Sequence, residues 1–137
     1  MVWQRFYDQA LPARLGANHP NGRVVGVYSA YESGPKGQYT VTAGVQMRTL
    51  AGASNGFDVV TVSPGEYLRF STYGQGPQTV AGLWADINEF FVRVEHPLAG
   101  AFDRAYTADF ERYGEHDEIS VFVAVKRKLG VDSLSRQ

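Results

Sequence analysis

Two periodicities organise the apolar positions of this chain. From Pro77 to His96, residues Val80, Leu83, Trp84, Ile87, Phe90, Phe91 and Val94 recur three and four apart. Gln78, Asp86, Asn88 and Glu89 lie mostly off that stripe, which predicts an amphipathic helix packed by one face. Gly74–Gly76 and Pro77 open it, and His96-Pro97 closes it. A shorter stripe of Val2, Trp3, Phe6, Tyr7, Ala10 and Leu11 predicts a first helix within residues 2–15, with its final turn disturbed by Pro12.

Elsewhere the period is two. Arg23–Tyr31 (RVVGVYSAY) and Tyr39–Arg48 predict an antiparallel hairpin across a Ser33-Gly34-Pro35 turn. In its second strand Tyr39, Val41, Ala43, Val45 and Met47 face one way. Phe57–Ser63 and Glu66–Thr72 predict two further strands around Pro64-Gly65, with Tyr67 and Arg69 directed opposite to Leu68 and Phe70. Leu98–Asp103 reads as a connector. Arg104–Tyr113 and Glu118–Lys126 predict a closing pair across Gly114–Asp117. The stretches 16–22 and 51–56 are loops by composition.

The second half is thus a β-α-β-β unit, and the first half is the same unit without its leading strand. Two such units predict an α+β, two-layer domain: one antiparallel sheet with two helices on one face, the units related by a pseudo-twofold. At 137 residues the chain is one domain, with 1–22 as N-terminal helix and loop and 127–137 as a polar tail. A leading strand would precede Trp3; its absence leaves a sheet edge unpaired, so a homodimer is expected.

Composition narrows the chemistry. Thirteen basic against fourteen acidic residues give a formal net charge of −1, so direct nucleic-acid binding is not expected; Lys126-Arg127-Lys128 reads as a solvated tail. The chain contains no cysteine, which removes disulfides, thiolate metal sites and a Cys nucleophile. His19, His96 and His116 stand in separate loops without helical partners, so no metal is implied, and no cofactor motif occurs. There is no Gly-x-Ser-x-Gly elbow and no phosphate-binding Gly-Lys-Ser/Thr. Arg5 and Asp8 stand where a signal peptide would be apolar, and no apolar run approaches membrane-spanning length; a cytoplasmic location is expected.

One feature carries chemistry. Glu111, in Asp109–Tyr113 (DFERY), lies on an interior strand, on the face shared with Asp109 and Tyr113. A strand Glu is ordinarily solvated. Desolvated, it is costly unless paired or awaiting a cation. A carboxylate among aromatic faces is how proteins hold organic cations. Glu118 opens the neighbouring strand. Trp84 on the helix stripe reads first as core filler, and as a pocket wall where the sheet curves away from the helix.

From Val24 to Lys126 the chain resembles the GyrI-like effector-binding domain, found in AraC- and MerR-type regulators and in small gyrase-inhibitor proteins. The resemblance rests on YTVTAGVQM (39–47), VSPGEYLRFSTYG (62–74), LWADI (83–87), DFERY (109–113) and EISVFVAVK (118–126), in that order. Gln46 stands where that family has a glutamate, and Ala124 where it has a proline. The resemblance implies paired β-α-β-β units with a ligand cleft at their junction. It implies Glu111 as pocket carboxylate, Glu118 as a weaker second, and Trp84 as a wall. No DNA-binding segment is expected beside the domain, so the reading is a stand-alone module that binds lipophilic, cationic or amphipathic small molecules. Its expected ligand residues are Glu111, Trp84, Tyr39, Tyr67, Tyr113 and Glu118. Two alternatives stand beside it. One is a hydrolase of reactive natural products, with Glu111 as general base and Tyr113, Tyr39 or Tyr67 assisting. The other is a gyrase-inhibitor-like interaction module.

Overall fold

The structure, a computed structural model, describes residues 2–8, 23–32, 37–46, 60–93 and 95–128. Helix α1 (Val2–Asp8) precedes strands β1 (Arg23–Ser29), β2 (Thr40–Gln46) and β3 (Glu66–Tyr73). Helix α2 (Pro77–Val92) and the short α3 (Pro97–Ala101) follow, then β4 (Phe102–Arg104), β5 (Ala108–Tyr113) and β6 (Glu118–Arg127). The strands form one six-stranded antiparallel sheet in the order β2-β1-β5-β6-β3, with β4 also on β6. The helices pack on one side. The architecture is the α+β two-layer arrangement that the periodicities predict.

The central β1–β5 pair is the pseudo-twofold junction. On one side α1 leads into β1 and β2; on the other α2 leads into β5 and β6, and β3 has no described counterpart. The core sits under α2, where Leu83 and Ile87 pack on Ile119, Val121, Val123 and Val125 of β6. Burying a Leu or Ile side chain contributes about 1.5–3 kcal/mol, so this contact anchors α2 to the sheet. Val80, Phe90 and Phe91 are only half-buried, and Val94 lies outside the described residues. Of the α1 stripe, Phe6 is buried and Trp3 half-buried, while Val2 and Tyr7 are exposed.

Three elements differ from the sequence expectations. Val60–Ser63, the described part of the strand expected over Phe57–Ser63, form no ladder. β-branched composition favours a strand only where a partner edge exists. The connector at residues 98–103 folds into most of α3 and the start of β4. The strand expected over Arg104–Tyr113 is broken: Arg104 opposes Val125 and Phe110 opposes Phe122, so six steps of one strand answer three of the other. The surplus is a bulge at Ala105, Tyr106 and Thr107, with Tyr106 in the left-handed region at φ 54°.

Candidate functional site

Three residues of β5 share the helical face of the sheet: Asp109, Glu111 and Tyr113. Asp109 is fully buried, and its role is structural. It accepts hydrogen bonds from Arg104 Nη2 (2.7 Å), the Tyr31 hydroxyl (2.5 Å) and the Ala124 backbone N–H (2.9 Å). The bulge removes the ordinary ladder partner of that N–H, and the carboxylate replaces it. Arg104 supplies the counter-charge and lies against the ring of Tyr106 at 4.5 Å.

Glu111 is 2% exposed and is handled differently. Its Oε2 accepts from the Tyr28 hydroxyl (2.6 Å) and the Trp84 indole N–H (2.7 Å); its Oε1 accepts from the Tyr113 hydroxyl (2.8 Å). All three donors are neutral. Among the described residues no Lys, Arg or His pairs with Glu111. Two donors fill Oε2, whereas Oε1 takes one and keeps a lone pair. Burial is the main cause that pushes the Tyr28 and Tyr113 phenols well above their ordinary value, and the Glu111 carboxylate adds to it. Both therefore remain protonated donors.

Gly26 makes this packing feasible. It lies opposite Glu111 in the β1–β5 ladder. A Cβ there would stand 2.7 Å from Trp3 Cζ2 and 3.2 Å from Glu111 Oε1. Without one, the Trp3 ring settles over β1 and meets Tyr113 edge-on at 5.6 Å. Between α1, the sheet and the Gly74–Pro77 lead into α2 lies a cleft of about 690 Å³, with Glu111 in its wall. Trp3, Tyr7, Tyr28 and Tyr113 line it, and Asp117 and Glu118 stand on its lining as well. No basic residue does so among the described residues. An aromatic enclosure around an uncompensated carboxylate can hold an organic cation through charge and ring faces together.

Of the residues expected from sequence, Glu111, Trp84 and Tyr113 converge. Trp84 acts as a hydrogen-bond donor; its ring lies against Tyr28 and under Arg104, and it does not line the cleft. Glu118 reaches the cleft, but its carboxylate pairs with Arg69 at 3.0 Å. Tyr39 is exposed, its ring tilted against Tyr28 and Tyr31, outside the cleft. Tyr67 requires a correction. Its place in the β3–β6 register puts it on the opposite face of the sheet, where it bonds the Ser63 carbonyl and meets Phe110. The two-residue alternation of β3 had already opposed Tyr67 to Leu68 and Phe70. Trp3, Tyr7, Tyr28 and Asp117 are cleft residues that sequence reasoning missed. For Tyr28 the available signal was its two-residue spacing from Gly26; for Trp3 it was the stripe of α1.

Over 90% of its length the chain is similar to the integron cassette protein VCH_CASS2, from the mobile metagenome of Vibrio cholerae, and covers 73% of that chain, at 33% sequence identity and a TM-score of 0.70. No curated protein matches it. Residues 1–125 match the family described as Cass2, integron-associated effector binding protein. With a match over nearly its whole length, the chain belongs to the Cass2 family of integron-associated effector-binding proteins.

Proposed function

We propose that this protein binds a lipophilic organic cation in the cleft between α1 and α2, with Glu111 as counter-charge, and that the Cass2 family is kin to the GyrI-like effector-binding domains. One observation carries the reading: a carboxylate 2% exposed, held by three neutral donors and by no cation among the described residues, in the wall of an aromatic cleft. Removing a carboxylate from water costs several kcal/mol unless charge answers it. A bound cation answers it, and ring faces of Trp3 and the tyrosines add cation–π attraction. The volume suits a drug-sized molecule, since such pockets run to about 300–1,000 Å³.

The two phenols argue for binding over general-base hydrolysis. Both donate to Glu111, and with the Trp84 indole they leave its carboxylate a single lone pair, on Oε1, for abstracting a proton. The test is a set of isothermal titrations with an aromatic trimethylammonium compound and its uncharged tert-butyl analogue, on wild type and Glu111→Gln. The cation binds more tightly to wild type, and the substitution weakens it by about 1–3 kcal/mol, with a much smaller change for the neutral analogue. Equal losses for both compounds refute charge reading by Glu111.

A further inference from the structure

We propose that the preferred ligand is a protonated amine and not a quaternary ammonium: its N–H donates to the lone pair of Glu111 Oε1 that no described residue takes. This rests on the reading of Glu111 given above and names the kind of cation which that reading leaves open. A carboxylate offers about four acceptor positions, divided between its two oxygens. Oε2 takes two donors, the Tyr28 hydroxyl at 2.6 Å and the Trp84 indole N–H at 2.7 Å. Oε1 takes one, the Tyr113 hydroxyl at 2.8 Å. Glu111 is 2% exposed, so its remaining position faces protein or cleft and not open solvent. A charged acceptor short of a donor costs more in such a place than at a surface.

The two oxygens have different surroundings. Oε2 lies against Tyr28 of β1 and Trp84 of α2, and Trp84 is off the cleft. Oε1 lies on the α1 side. Its donor Tyr113 lines the cleft, and so does Trp3. Trp3 Cζ2 and Oε1 both fall within 3.2 Å of the point where a Cβ on Gly26 would stand. The open position is therefore on the oxygen beside the Trp3 and Tyr113 rings, which can meet the carbon arms of a cation.

A tertiary ammonium matches this count. Its one N–H is the missing donor, and its charge answers the carboxylate. The bond brings its nitrogen to about 2.7–2.9 Å from the oxygen, the range of a charge-assisted hydrogen bond. A quaternary ammonium has no N–H to give. It keeps charge attraction and ring contact, but its carbon shell holds the nitrogen farther from Oε1, and Coulomb energy falls with distance.

The experiment compares benzyldimethylammonium with benzyltrimethylammonium on the full chain, by titration calorimetry at neutral pH. The two differ by a methyl group in place of the N–H. Wild type should bind the tertiary compound about tenfold more tightly, the worth of one hydrogen bond to a charged group. In Glu111→Gln the ratio should fall to about one, because the amide turns an N–H and not a lone pair toward Tyr113 and the open position. Tyr113→Phe gives a second readout that keeps the charge. It removes the donor on Oε1, so benzylmethylammonium, with a second N–H, should gain several-fold on the tertiary compound relative to wild type. Equal affinities in wild type, with both compounds weakened by Glu111→Gln, overturn the amine inference and leave the Glu111 reading standing. A preference that persists in Glu111→Gln reports shape and overturns it as well. No gain for the secondary compound in Tyr113→Phe overturns the assignment of the bond to Oε1. Failure of both first compounds to bind wild type overturns both proposals.

Discussion

Asp109 and Glu111 stand two residues apart on one strand and one face, and both are buried. Asp109 meets a guanidinium, a phenol and a backbone N–H that the bulge has freed; every partner belongs to the fold. Glu111 meets two phenols and an indole beside a cleft, and no described residue answers its charge. Burial of a carboxylate does not by itself mark a site. The counter-charge separates the two: Asp109 has one within the fold, and Glu111 has none among the described residues.

Substitution at Asp109 gives the largest expected effect. Asp109→Asn leaves Arg104 buried without its counter-charge, so the fold should lose about 3–5 kcal/mol. Urea unfolding measures it, and a loss near zero would remove the structural role. Glu111→Gln should cost the fold far less. The amide oxygen can accept from Tyr28 and Trp84, while the Tyr113 hydroxyl can turn to accept from the amide N–H. Its main effect should instead be the loss of about 1–3 kcal/mol in cation binding. If both variants destabilise equally, the two carboxylates do the same work and the contrast fails.

Alkaline pH probes both clusters through their phenols. Tyr28 and Tyr113 beside Glu111, and Tyr31 beside Asp109, all have phenols raised above the ordinary value, chiefly by burial. The folded state then holds protons that the unfolded state releases, so stability is full below about pH 10 and falls as pH rises beyond it. Unfolding curves between pH 8 and 11 should show that decline. The Tyr28→Phe/Tyr113→Phe double variant should flatten it more than Tyr31→Phe does. A decline untouched by all three substitutions would place its source elsewhere. The smallest effect is expected at Tyr67. Tyr67→Phe should leave cation affinity unchanged, because the residue lies across the sheet from the cleft. A several-fold loss there would mean that the site extends to the other face.

The apolar periodicities were enough to place α2, the β1–β2 hairpin and the β5–β6 pair, because alternation and helical spacing are local properties of the chain. They also put Glu111, Asp109 and Tyr113 on one face. The bulge after Arg104 could not be read this way, since its cause is the register against β6, a non-local pairing. The same holds for the partners of Glu111. Tyr28 comes from β1 at 83 residues' separation and Trp84 from α2 at 27. Trp3 can approach only because Gly26 lies opposite Glu111 in the β1–β5 ladder. Residue type and spacing alone thus determined the layers, the helix face and the presence of a carboxylate on an interior strand. Which of the two buried carboxylates is neutralised was decided by the tertiary structure, because a counter-charge is supplied by proximity in space, and Arg104 reaches Asp109 across a bulge that only the sheet register creates.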